Sequence, residues 1–190
     1  MVTISLLVKF LCVSVFMFST AYAHFRGKVR FSFLRQLGDH STFMAPVNAF
    51  MYLFSAIPNT PYLDKQLFKE LDELREHWEM IRDEAINDDA GFNSFFRIGW
   101  KRFYLKWYGE ALPSAKVLCP KTVSLLQKIP TVNAAMFAML PKGSRLVRHR
   151  DPYAGSLRYH LGLVTPNSDK CRIFVDGIPY TWKDGEDIIF

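Results

Sequence analysis

Two short runs in the C-terminal half hold the residues whose types and spacing could do chemistry. Val147-Arg148-His149-Arg150-Asp151-Pro152-Tyr153 sets an imidazole two residues before a carboxylate, and Arg158-Tyr159-His160 sets a guanidinium two residues before another imidazole. In an extended segment residues two apart project from the same side, so His149 and Asp151 are expected to open onto one space. An imidazole and a carboxylate, completed by a distant second histidine, make the facial triad that holds non-haem Fe(II) and leaves coordination positions open. A guanidinium fork beside an imidazole that can carry charge suits a carboxylate ligand. Each pair also has an ordinary reading: His-x-Asp arises by chance, and an arginine near an acid is commonly a surface ion pair. Spacing alone leaves both readings open.

The elements that must position these residues are short strands. Residues 134–140, 157–164, 172–175, 179–182 and 187–190 are apolar runs separated by the turn signals Pro141-Lys142-Gly143, Thr165-Pro166-Asn167, Asp176-Gly177 and Lys183-Asp184-Gly185, a spacing that predicts a sandwich or barrel. Asp176-Gly177 is the strongest hairpin cue in the chain. A helical patch is expected over residues 122–128. Residues 64–85 read as one long amphipathic helix, with Leu67, Leu71, Leu74, Trp78, Ile81 and Ala85 on one face, Asp64 as its cap and Asn87-Asp88-Asp89-Ala90-Gly91 as its end. Between them, Phe92, Phe95, Phe96, Trp100, Phe103, Tyr104, Trp107 and Tyr108 alternate with Arg97, Lys101, Arg102 and Lys106. This mixture fits a half-buried strand surface; the competing reading, a stacking platform for single-stranded nucleic acid, has no motif to support it.

The N-terminal third is different in kind. Lys9 is the only charge in residues 1–23, and an unbroken apolar and small-residue run follows it. Ala21-Tyr22-Ala23 resembles a signal-peptidase site, whereas the length approaches what a bilayer span needs. Arg26, Lys28, Arg30 and Arg35 follow directly, and positive residues stay cytoplasmic, which favours an uncleaved single-pass anchor with the remaining chain in the cytoplasm. A second uncharged stretch, residues 41–63, is broken by Pro46, Pro58 and Pro61 and carries Asn48 and Asn59; it reads either as a helix lying in the membrane interface or as a segment packed on the domain.

At 190 residues with 49% hydrophobic content the chain is large enough for one real core, which excludes disorder as its main state. A net charge of +6 suits nucleic acid, anionic lipid or an acidic substrate without choosing among them. Three cysteines without a Cys-x-x-Cys pair support neither a disulfide scaffold nor a structural zinc site.

Several runs together carry a resemblance: Gly99-Trp100-Lys101-Arg102-Phe103-Tyr104-Leu105, Pro120-Lys121-Thr122, Phe137-Ala138-Met139-Leu140-Pro141-Lys142-Gly143-Ser144 leading to His149, and Leu157-Arg158-Tyr159-His160-Leu161-Gly162-Leu163-Val164. Over residues 68–190 the sequence resembles the aspartyl/asparaginyl β-hydroxylase family of Fe(II)/2-oxoglutarate dioxygenases. The His149-Arg150-Asp151-Pro152-Tyr153 version, with an apolar N-terminal segment, is most similar to bacterial lipid A 2-hydroxylases.

The resemblance implies an α+β, mainly β fold: a double-stranded β-helix (jelly-roll) core, incomplete at its C-terminus, preceded by a membrane helix and the long amphipathic helix. It divides the chain into an anchor (1–25), a juxtamembrane segment (26–63) and a dioxygenase domain (64–190). It makes His149 and Asp151 iron ligands, and Arg158 and His160 contacts to 2-oxoglutarate. The implied cofactors are Fe(II), 2-oxoglutarate and O2, with ascorbate as a further candidate. Ala138 stands where some members have a serine on the cosubstrate, and other members lack a carboxylate at Asp151. The family's second histidine ligand falls after residue 190, and His24, His40 and His77 are not expected near the iron, so two of three protein ligands are expected in this sequence. The implied activity is 2-hydroxylation of an acyl chain of lipid A, or of a related membrane lipid, at the bacterial inner membrane. Hydroxylation of Asp or Asn in a protein, and an inactive membrane-bound binding protein, are the alternatives.

Overall fold

The computed structural model describes residues 2–86 and 101–190. The expected helix end at 87–91 and the aromatic residues 92–100 lie outside the described residues.

α1 (Val2–Phe25) contains a 21-residue apolar stretch, Ser5–Phe25, long enough to cross a bilayer and almost entirely unburied by the rest of the chain. Three short helices follow. α2 (Phe33–Leu37) and α3 (His40–Phe43) are separated by Asp39, whose carboxylate accepts from the Ser41 N–H at 2.9 Å and caps α3. α4 (Ala45–Phe54) starts with Pro46 in its first turn, where a missing N–H costs nothing. It packs against α1 and buries Ala45, Asn48 and Ala49 while Phe50, Leu53 and Phe54 remain exposed. The second uncharged stretch therefore does pack on protein along one face.

Residues 64–85 correct the expectation of one long helix. Asp64 caps as predicted, accepting from the Gln66 N–H at 2.9 Å. The chain then runs through a 3-10 helix (Lys65–Leu71), α5 (Asp72–Glu76) and α6 (Trp78–Ile86), with non-helical backbone at Phe68 (φ −136°, ψ 53°) and at His77 (φ −104°, ψ 22°). Leu71, Leu74, Ile81 and Ala85 are buried as their spacing requires, but Leu67 is exposed. The breaks re-aim the axis so that separate turns reach separate parts of the core.

Seven strands form three antiparallel sheets among the described residues. β1 (Lys101–Trp107) lies between β2 (Glu110–Ala111) and β3 (Ala134–Met139), β4 (Tyr159–Leu161) pairs with β7 (Asp187–Ile189), and β5 (Arg172–Val175) pairs with β6 (Ile178–Thr181). The β5–β6 hairpin turns at Asp176 (φ 47°) and Gly177 (φ 83°), the two left-handed residues that a tight hairpin turn demands. Helices hold more residues than strands, so the fold is mixed rather than mainly β; the N-terminal helices and the pair α7 (Pro113–Leu118) and α8 (Pro120–Lys128) account for the difference. The core joins Leu71, Leu74 and Ile81 to Leu105 of β1, Phe137 of β3, Val123 and Leu126 of α8, and Ile189 of β7.

Two polar devices lock this core. The buried Asp187 carboxylate meets Lys65 Nζ at 2.6 Å and joins the 3-10 helix to β7. Glu84 of α6 accepts from the Lys121 N–H (2.9 Å), the Thr122 N–H (2.8 Å) and the Thr122 hydroxyl (2.7 Å). It supplies in trans the cap that Cys119, at the cap position of α8, does not provide. Beside it the Cys119 thiol is fully buried and pushed up to about 11, first by burial and then by the Glu84 charge. Glu84→Ala is expected to cost about 2 kcal/mol in urea unfolding, at the upper end for a lost cap because three donors are orphaned.

Candidate functional site

His149 and Asp151 lie in residues 144–151, which form no strand, and both are exposed. His149 Nδ1 is 2.9 Å from the Val147 carbonyl oxygen. Asp151 accepts from Arg158 Nε at 2.7 Å. The structure thus joins the two candidate pairs, but as the ordinary reading has it, through an ion pair at the surface. Among the described residues no three His, Cys, Asp or Glu side chains gather as a metal site. The donor types of His149 and Asp151 suit Fe(II), but two donors do not complete a site.

β4 and β7 set the second pair in place. The Arg158 N–H donates to the Phe190 carbonyl (2.8 Å) and the Phe190 N–H to the Arg158 carbonyl (3.0 Å), extending the β4–β7 ladder past Tyr159 and Ile189. The His160 ring lies between Trp182 (centroids 5.7 Å apart, stacked) and Phe190 (4.8 Å, edge-on). Burial lowers its pKa to about 4, Arg158 adds to the shift, and Asp151 opposes it. The ring is therefore neutral at pH 7: it can offer an N–H to a carboxylate but not the positive charge that the sequence suggested.

The short helices that follow α1 hold the loop that carries these residues. Asn48 of α4 donates from Nδ2 to the Pro152 carbonyl (3.0 Å) and accepts at Oδ1 from the Ala154 N–H (2.9 Å). Gln36 of α2 accepts from Arg150 Nη1 (2.8 Å) while its amide donates to the Ser41 and Thr42 hydroxyls (3.1 and 3.0 Å). His40 Nε2 is 2.7 Å from the Arg150 carbonyl oxygen, between the two candidate ligands in sequence. His40 thus contacts the backbone of the candidate loop, while His24 and His77 bond to Gln36 Oε1 and the Glu73 carbonyl. Sequence reasoning missed Asn48, Gln36 and His40 as positioning residues. The one local signal was a polar amide inside an uncharged stretch.

Residues 65–190 match the family model described as aspartyl/asparaginyl beta-hydroxylase. The chain belongs to that family. It is 41% identical over 152 residues to an ornithine lipid ester-linked acyl 2-hydroxylase from Rhizobium tropici, covering 72% of this chain and 54% of the relative. To the human aspartate beta-hydroxylase domain-containing protein 2 it is 28% identical over 158 residues (74% and 42%), and to human aspartyl/asparaginyl beta-hydroxylase 30% over 131 residues (62% and 17%). The chain thus spans about half the length, or less, of these curated relatives. Within this hydroxylase family, two of the runs that carried the resemblance acquire structural reasons. Pro120-Lys121-Thr122 opens α8 and offers its N–H groups to Glu84, and Gly162 of the Leu-Gly-Leu run lies against the backbone of the 183–186 turn.

Proposed function

We propose that this family member hydroxylates an acyl chain of a membrane lipid. The observation that carries the reading is the attachment of the 148–154 loop, through Gln36, His40 and Asn48, to the helices that directly follow the apolar α1. A reactive loop held there lies beside a bilayer into which α1 inserts. The relative from Rhizobium tropici is named for acting on an ester-linked acyl chain, and lipid A is the corresponding substrate that the sequence resemblance implies.

In this reading the strand pairs belong to a double-stranded β-helix, and His149 and Asp151 would supply an imidazole and a carboxylate to Fe(II). Bound there with 2-oxoglutarate and O2, the iron supplies an oxidant strong enough for an unactivated C–H bond. The chain's own residues bind and orient. Arg158, now paired with Asp151, would hold a carboxylate of 2-oxoglutarate, and neutral His160, fixed by Trp182 and Phe190, would offer it an N–H. The basic residues Arg26, Lys28, Arg30 and Arg35 after α1 support a cytoplasmic domain on a single-pass inner-membrane anchor.

The test is mass spectrometry of lipids from bacteria expressing the gene. One added oxygen on a lipid A or ornithine-lipid acyl chain is expected, and unchanged lipids would sink the substrate assignment. The names of the human relatives favour a second reading, peptide hydroxylation. It predicts oxygen addition to Asp or Asn peptides by a chain lacking residues 1–30, whereas the lipid reading expects that chain to lose activity.

A further inference from the structure

Phe31, six residues after α1 in sequence, is 6% exposed, and three guanidinium groups lie over its ring: Arg35 at 4.1 Å, Arg150 at 4.9 Å and Arg148 at 5.4 Å from the centroid. The ring attracts each of them, but three like charges on one small aromatic repel one another, and an aromatic face does not neutralise a charge. Asp39 and Asp176 lie close enough to offset part of the Arg150 charge, but neither forms an ion pair with it, and each carboxylate nearby has its own hydrogen-bond partners. Asp39 caps α3, Asp176 accepts from the Lys28 and Val29 N–H groups at 3.0 and 2.8 Å, and Asp151 is paired with Arg158. Among the described residues none of the three arginines has a carboxylate within ion-pair distance. Their hydrogen bonds are few: Arg35 Nη2 donates to the Arg148 carbonyl (2.6 Å) and Arg150 Nη1 to Gln36. With five N–H donors on each guanidinium, most of the cluster's donors are uncommitted.

The surroundings select the kind of anion. Arg35 belongs to α2, where its neighbours Phe33 and Leu34 are 71% and 81% exposed, and Phe43 of α3 is 74% exposed. Cations bordering an apolar surface that continues from a bilayer-length helix lie where lipid headgroups meet acyl chains. The alternation along the loop matters equally. Arg148 and Arg150 turn to Phe31, while Asp151 turns to Arg158.

We propose that Arg35, Arg148 and Arg150 form a binding site for the phosphate or carboxylate of an anionic lipid headgroup, which seats the substrate lipid beside His149 and Asp151. The assignment of the bound lipid as substrate rests on the hydroxylase reading; the site itself does not.

The test uses the whole chain in a maltoside detergent, titrated calorimetrically with dihexanoyl phosphatidic acid, dihexanoyl phosphatidylcholine and inorganic phosphate. Phosphatidic acid is expected to bind with at least tenfold preference over phosphatidylcholine. Arg148→Gln and Arg35→Gln, both at exposed positions, are each expected to weaken it about tenfold, the loss of one charge-assisted contact. Lys170→Gln, at an exposed position outside the cluster, should leave it within about twofold. Unchanged binding by R148Q and R35Q with intact circular dichroism would overturn the site, as would equal binding of phosphatidylcholine. Inorganic phosphate binding as tightly as the lipid would overturn the headgroup assignment and leave a free-phosphate site. Because no turnover is involved, phosphatidic acid binding by the isolated chain together with cellular lipids that gain no oxygen would sink the lipid-substrate assignment and leave the lipid site standing.

Discussion

Gly162→Ala is expected to lower stability by about 3 kcal/mol or more, read as a fall in the urea midpoint with an unchanged slope. Gly162 directly follows β4, in backbone contact with the 183–186 turn. Its N–H donates to the Glu186 carbonyl (2.9 Å), and its own carbonyl accepts from the Gly185 N–H (2.8 Å). A Cβ at this position would overlap the Lys183 carbonyl oxygen, with the Glu186 carbonyl close behind. The obstacle is backbone, so no rotamer change relieves it, and moving the turn breaks both hydrogen bonds. The consequence reaches the site, since the same turn connects Trp182 to β7 and its departure loosens the stack on His160. Gly38→Ala is the control: its φ of −89° suits any residue and nothing lies within 4 Å of the added carbon. A loss at Gly162 no larger than that at Gly38 would contradict the packing described.

The second large effect is acid destabilisation through His160. Its folded pKa of about 4 lies below the ordinary value of 6.5, because a buried ring beside Arg158 resists a second proton. Below pH 6.5 the unfolded chain takes up a proton that the folded chain refuses, so this contribution is complete above that pH and is lost as the pH falls toward 4. The loss amounts to about 3 kcal/mol across the window. Denaturant curves between pH 7.5 and 4.5 should show the slope in the wild type and its absence in His160→Gln. Asp39 and Asp176 have pKa values lowered below 3.8, against the opposing effect of burial, by hydrogen bonds from the Ser41 side chain and N–H and from the Lys28 and Val29 N–H groups respectively, and add their losses only at more acid pH. Parallel pH profiles for the two proteins would remove His160 as the cause.

The C-terminal strands and their turns were legible because the signals are local. β3, β5, β6 and β7 fall within a residue or so of the apolar runs that announced them, and Asp176-Gly177 turns as its composition requires. The breaks at Phe68 and His77 were not legible. Periodicity reports which residues face the core, and Leu71, Leu74 and Ile81 do; it says nothing of whether the axis between them is straight. The candidate chemistry at His149, Asp151, Arg158 and His160 was named from spacing and resemblance, but their surroundings were not. The partners of the loop at Gln36, His40 and Asn48 lie more than 100 residues away, a distance at which local pattern carries no information. The neutral state of His160 depends on Trp182 and Phe190 closing over it, again a tertiary fact.

The hydrogen bonds from Lys28 and Val29 to Asp176 span 148 and 147 residues of sequence. During synthesis α1 and the residues after it emerge first, and the two N–H groups wait without their acceptor until the β5–β6 turn has been made. Contacts of such high order close late, after the entropy of a long loop has been overcome. A nascent chain already inserted through α1 would therefore carry its membrane-proximal collar unfastened for most of its translation. The hairpin tip acts as the final clasp, so ribosome-stalled chains ending before residue 176 should be cleaved by protease near residue 28, and chains extending well past it should resist.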